Sequence, residues 1–319
     1  NRASSTSVAG KIVLITGGTA GLGSGILRGL VARGPPAKII LLCRSEERGR
    51  RAAEAAGASG LVTIVLANLD LMADVHKAGV HIASTFPPID LVLLNAAAFA
   101  SHTLAGERVI TGEGLETMFA TNHAAPYLLI RLLAPSALAP RARVILTGSD
   151  AADFLGWQLE RGNLQGEERL GFGGFAQYAH TKLMNAMFAA ELQVRADEAE
   201  RAGGGGLDVS VCHPGAVMSE LGNNVGPRLA WLIKTSLYLL FRTPDAAAPL
   251  ILTPVASAAP LRGYIGDGNF GTPKNFAPKP FKGSAAAADE RRWLWEETER
   301  LIVAAFDGKS EIPALVPRQ

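Results

Sequence analysis

A chain of 319 residues that is 48% hydrophobic and carries a formal charge of +2 has material for one large core. Its near-balanced charge provides no single-sign field, so nucleic acid and other polyanions are not expected partners. Two cysteines, Cys43 and Cys212, and six scattered histidines exclude a disulfide-stapled module and offer no metal-ligand spacing, so no metal is expected.

That cysteine usage fits a reducing compartment, cytoplasmic or organellar stroma or matrix. No run approaches the roughly 18 to 20 apolar residues of a membrane span. The longest, Trp231 to Phe241, is interrupted by Lys234 and reads as a lid over an apolar pocket, with weak membrane association as the alternative. The opening NRASSTSVAG lacks an initial Met and reads, over 1–9, as a flexible terminus following a removed targeting segment or a cloning boundary.

Short β-branched and Leu-rich runs alternate with longer Ala-, Leu- and charge-bearing stretches, the pattern of parallel strands joined by crossover helices. The first strand, Lys11 to Thr16, runs into Thr16-Gly17-Gly18-Thr19-Ala20-Gly21-Leu22-Gly23 and then a helix from Leu22 to Ala32. Glycine suits a tight turn whose backbone must come close to a pyrophosphate at a helix N-terminus. Glycine-rich turns are common without ligands, and it is the position between a first strand and a first helix that gives this one weight. The second strand, Lys38 to Leu42, ends in Cys43-Arg44-Ser45. A basic residue there accommodates the 2'-phosphate of NADP, where an acidic one would hold the 2'-hydroxyl of NAD.

Further along, helices are expected over Glu46 to Ala56, Met72 to Ser84, Leu115 to Leu133 and Tyr178 to Ala199. Strands are expected over Leu61 to Leu66, Ile89 to Leu94, Arg143 to Thr147, Leu207 to Cys212 and near Tyr264, each apolar enough to be covered on both faces. Gly203 to Gly206 is a hinge. The sum is a single α/β domain, a doubly wound, mostly parallel Rossmann-type sheet of about seven strands with helices on both faces. Appended to it are an active-site flap (150–176), a substrate lid (219–245) and a C-terminal helix (285–306) packed on the sheet or closing the pocket.

Tyr178 and Lys182 are four residues apart, on one helical face. A tyrosine that works as an acid/base near neutral pH needs help of about 4 kcal/mol, which an ammonium about 4 Å away can supply. Ser149 falls at the end of the fifth strand, where open α/β sheets bind ligands. Asn122 lies in the helix feeding the same region and would hold a water behind Lys182. His180 points off the Tyr178–Lys182 face and reads as a surface or packing residue; His213 shapes a loop; both cysteines read as small buried hydrophobes.

This motif set resembles the short-chain dehydrogenase/reductase family over roughly residues 10 to 270. The matching pieces are TGGTAGLG, Asn95-Ala96-Ala97, Asn122, Ser149, Tyr178-x-x-x-Lys182 and His213-Pro214-Gly215. The resemblance implies a catalytic tetrad of Asn122, Ser149, Tyr178 and Lys182. It implies NADP(H) held by Gly17, Thr19, Gly21, Leu22, Gly23, Arg44, Asn68, Asp70, Asn95, Ala96, Tyr178, Lys182, Pro214, Gly215 and Val217. HTKLMNAMFAAEL, HPGAVMSEL and Thr243-Pro244 are similar to the retinol dehydrogenase-like branch, which implies a lipophilic carbonyl or alcohol substrate. Cys43-Arg44 and Thr121-Asn122-His123 resemble the related protochlorophyllide reductases, but Ala216 stands where those carry cysteine. Reduction of a conjugated C=C bond, and a non-catalytic NADP-binding role, are the alternatives.

Overall fold

The computed structural model describes residues 7–99, 108–134, 136–168, 174–217, 242–266 and 278–306. Seven strands, β1 (Ile12–Thr16), β2 (Lys38–Cys43), β3 (Val62–Leu66), β4 (Ile89–Leu94), β5 (Leu138–Thr147), β6 (Leu207–Cys212) and β7 (Gly263–Ile265), form one sheet in the order β3-β2-β1-β4-β5-β6-β7. Every pairing is parallel. The order runs outward from β1 in one direction and from β4 in the other, so connections reverse between them and open a crevice at the C-terminal ends of the strands.

Alternation along each strand divides the core into two layers. Val13 and Ile15 of β1 face α1 (Gly21–Ala32) and the helix Pro244–Ile251, whereas Leu14 faces α3 (Met72–Thr85) and the helices after β4. α2 (Glu46–Ala55) packs on the first side through Ala52 and is capped by Ser45, whose hydroxyl accepts the Arg48 N–H. Parallel strands sandwiched this way are apolar on both faces. The exception is the edge strand β3, where Leu66 is 55% exposed, so the expected two-sided cover fails there.

The stretch Leu115 to Leu133, expected as one helix, is three: α4 (Thr117–Phe119), a π-turn (Ala120–Ala124) and α5 (Ala125–Leu133). Pro126 explains the break, because it has no N–H to give the carbonyl four residues back, that of Asn122. After β5 the flap comprises α6 (Ala151–Phe154) and a 3₁₀ turn (Arg161–Asn163), followed by the long α7 (Gly174–Arg201). Residues 169–173 of the flap and 218–241 of the expected lid lie outside the described residues. The end of the lid stretch instead enters α8 (Pro244–Ile251), which packs so closely on α1 that a Cβ on Gly25 would sit 2.5 Å from the Pro244 carbonyl oxygen.

α9 (Thr253–Ala256) precedes β7, and α10 (Gly283–Ala286) precedes α11 (Ala288–Ala305). The C-terminal helix packs on α7 and α5, one layer out from the sheet, rather than on the sheet itself. Trp295 is its anchor, edge-on to Tyr127 at 4.9 Å and flanked by the guanidinium groups of Arg195 and Arg131 at 4.3 and 5.1 Å. At the other end of the chain Val8, expected to be flexible, is 2% exposed and joins the α1-side core.

Candidate active site

The glycine turn follows β1 directly. Gly17 has φ +67°, and a Cβ on it would lie 2.8 Å from Ala96 Cα; a Cβ on Gly23 would lie 2.0 Å from the Gly17 carbonyl oxygen. No larger residue fits either position. Ala20, the N-cap of the 12-residue α1, provides no side-chain hydrogen bond, and the first turn has no acidic residue. The N–H groups of Gly21, Leu22 and Gly23 thus start a helix whose partial positive charge is left open, beside Thr19, which suits a diphosphate. This cradle fits the dinucleotide that the sequence implies.

Asn95, just past β4, ties the neighbouring strands together. Its backbone N–H donates to Thr16 Oγ1 (3.1 Å), its Nδ2 donates to the Gly17 carbonyl (3.2 Å), and its Oδ1 accepts from Thr147 Oγ1 (3.3 Å). At the far end of the crevice Arg44, 67% exposed, lies 3.8 Å from Asp70, whose carboxylate also accepts from the Thr121 hydroxyl. Asn68 braces the same loop by accepting the Asp70 N–H (3.3 Å). Arg44 also borders a groove of about 550 Å³ with Asn68, Lys77 and His81. Past β6, Pro214 and Gly215 are buried, Gly215 with φ +76°, and Val217 bridges to Arg242. All these positions lie where the strands end, on the rim of one crevice.

Tyr178, on the first turns of α7, lies beside the Ser149 side chain at the end of β5, close enough for Ser149 to influence its titration. Phe99 stands edge-on to its ring at 5.5 Å. Lys182, one turn along, is buried and donates to the Thr147 carbonyl at 2.9 Å; its ammonium is 5.5 Å from the Tyr178 ring centre. Burial pushes the Tyr178 phenol up to about 12, against the opposing pull of Ser149, and pushes Lys182 down to about 8.

Asn122 lies in the π-turn between α4 and α5. Its Oδ1 accepts from the Ala98 N–H (2.6 Å), and its Nδ2 donates to the Ala98 carbonyl (3.0 Å) and to Thr181 Oγ1 (3.1 Å). The side chain is engaged at both ends and pins the loop after β4 to α7, since Thr181 in turn donates to the Tyr178 carbonyl (2.7 Å). His180, read from the sequence as a surface or packing residue, is buried, and its Nε2 accepts the Glu160 N–H of the flap at 3.1 Å. His213 contacts the carboxylate of Asp150 through Nε2 at 2.9 Å, joining the Pro214-Gly215 loop to the residue after Ser149. Cys43 and Cys212 are buried free thiols, and burial raises both.

The polar partners Thr147, Thr181 and Asn185 escaped the sequence reading. A signal for two of them existed: Gln177, Thr181 and Asn185 recur every four residues along the buried part of α7, and a polar stripe in a buried helix marks a network.

A human dehydrogenase/reductase SDR family member 13 is 30% identical to this chain over 315 residues, 92% of this chain and 73% of that protein. The chain belongs to the short-chain dehydrogenase/reductase family. A family model described as short chain dehydrogenase matches residues 11–159. Human retinol dehydrogenase 13 is 29% identical over 94% of this chain and 86% of its own length, which makes this oxidoreductase retinol dehydrogenase-like. In fold it is similar to the Pseudomonas aeruginosa RhlG/NADP complex, with TM-score 0.63, 22% identity and coverage of 84% of this chain and 98% of that one. A Burkholderia cenocepacia short chain dehydrogenase in complex with NADP has TM-score 0.59 at 21% identity, covering 78% and 92%. Among the described residues no helix is long and apolar enough to cross a membrane.

Proposed function

We propose that this oxidoreductase uses NADP(H) to interconvert the carbonyl and alcohol forms of a lipophilic substrate, with reduction as its working direction. The observation that carries the reading is the Tyr178 phenol, beside Ser149 and one helical turn from the buried Lys182, at the mouth of a crevice that begins in the glycine cradle. Bound NADPH supplies the hydride. Ser149 orients the substrate oxygen by hydrogen bonding, and Tyr178 donates its proton to that oxygen as negative charge develops there. Reduction as the working direction follows from the NADP reading. Lys182, fixed on the Thr147 carbonyl, is the group from which Tyr178 is reprotonated, and Asn122 holds the surrounding backbone in register.

The choice of NADP rests on Arg44 at the end of β2, where the sequence has no Asp or Glu before Glu46, and on Lys77 and His81 bordering the same groove. Structural relatives that contain NADP support it. The lipophilic substrate rests on Phe99 beside Tyr178 and on the likeness to retinol dehydrogenases. The test is NADPH oxidation with a panel of retinoid, steroid and aliphatic carbonyls, followed by product analysis for a new alcohol. Tyr178→Phe is expected to bind NADPH as the parent does and to lose at least about a hundredfold in kcat, the lower end for a general acid. Retained turnover would remove Tyr178 from the mechanism.

A further inference from the structure

We propose that His123, Asn185 and Thr298 are positioning residues through which the C-terminal helix sets the Asn122 backbone, and with it the Asn122 side chain that reaches the Tyr178 carbonyl through Thr181. This deepens the catalytic reading above and rests on it. The Asn122 side chain is engaged by Ala98 and Thr181. Its carbonyl, in turn, gets no N–H from four residues on, because that residue is Pro126. A buried carbonyl without a partner is costly. Asn185 of α7 meets that need by donating from Nδ2 at 2.8 Å.

The direction of the remaining bonds follows from this one. A backbone carbonyl only accepts, so Asn185 must turn its NH₂ toward Asn122 and its Oδ1 toward His123, which it meets at Nδ1 at 3.2 Å. An amide oxygen also only accepts, so the His123 proton must reside on Nδ1. His123 Nε2 is then the acceptor, and Thr298 of α11, at 2.9 Å, must donate its hydroxyl proton to it. The chain runs Thr298 O–H to His123 to Asn185 to the Asn122 carbonyl, with every link from donor to acceptor. All four side chains are buried, at 0, 0, 5 and 0% exposure respectively. A reversed Asn185 would set two carbonyl-type oxygens 2.8 Å apart, so the order is not interchangeable.

The geometry also explains why α11 sits where it does. Trp295 clamps the helix against Tyr127 and Phe188, one turn from Thr298, and holds the Thr298 hydroxyl at the start of the chain. A purely structural helix would need its apolar face and no directed hydroxyl at the π-turn.

The test uses two readouts on the full chain. In ¹⁵N-histidine-labelled protein, with His123→Gln identifying the signal among six histidines, His123 is expected to be the Nδ1–H tautomer at neutral pH; an Nε2–H tautomer overturns the chain. In kinetics, Thr298→Val is expected to lower kcat roughly five- to tenfold, the effect of one buried hydrogen bond, with KM for NADPH unchanged. Thr298→Ser, which keeps the hydroxyl, is expected to restore kcat. Wild-type kcat in Thr298→Val, with or without a loss of stability, overturns the positioning role. Should no substrate turn over at all, the catalytic reading fails while the tautomer still decides whether the chain exists.

Discussion

Acidification should loosen the flap through one residue, His180. Its imidazole is buried, which drives its titration down to about 4 against the opposing pull of Glu160 and Glu167, and its neutral Nε2 accepts the Glu160 N–H. A protonated ring would present two donors to each other at that contact. In the unfolded chain the ring titrates near the ordinary imidazole value of 6.5, so below that pH the unfolded state binds a proton that the folded state refuses. Stability contributed by the neutral ring is therefore complete above about pH 6.5 and falls as pH drops toward 4. At about pH 5 the loss is roughly 1.5 units at ~1.4 kcal/mol per unit, or about 2 kcal/mol. His180→Gln keeps an acceptor for Glu160 and removes the titration. Urea unfolding at about pH 7.5 and about pH 5 measures the difference: the drop on acidification should be smaller by about 2 kcal/mol in the variant. His123, also held near 4 by burial, contributes a similar drop to both proteins and cancels in the comparison. Equal drops in parent and variant would refute the buried-neutral assignment of His180.

Gly23→Ala, whose methyl would meet the Gly17 carbonyl at 2.0 Å, should abolish NADPH binding in a fluorescence titration while circular dichroism retains the fold. Arg44→Ala should raise KM for NADPH about ten- to a hundredfold, the effect of losing charge-assisted contacts to a phosphate, and leave KM for NADH within about twofold of the parent; an equal effect on both cofactors would place the 2'-phosphate elsewhere. Asp150→Ala, which strips His213 of its 2.9 Å partner, should loosen the Pro214-Gly215 loop and raise KM for NADPH more than it lowers kcat. Trp295→Ala should destabilise the chain by about 3 to 5 kcal/mol, the usual cost of an aromatic-to-Ala change in a core, measured as a lower urea midpoint.

How much of this was legible in the sequence depended on whether a residue's role is local. β4 and β6 were bounded to the residue, and α1, α2 and α3 to within one, because apolar runs and their flanking breakers act within a few residues. The pairing of Tyr178 with Lys182 was visible because i and i+4 share a helical face. What the sequence did not show were non-local partners. Ala98 and Thr181, which engage the Asn122 side chain, lie 24 and 59 residues away. The single helix expected over Leu115 to Leu133 ignored Pro126, a break the sequence did show. His180 was taken off the active face correctly, but the flap that covers that other face comes from a separate loop. The same distinction separates two kinds of residue at this site. The glycines and Arg44 act through their own conformation or charge, so a motif can carry them. Tyr178 as a proton donor depends on how deeply α7 is buried between the sheet, the flap and α11, and that burial raises its titration and lowers that of Lys182. A Tyr-x-x-x-Lys pair on an exposed helix would have neither property, so it is the layers packed around α7, more than the spacing, that give the pair its chemistry.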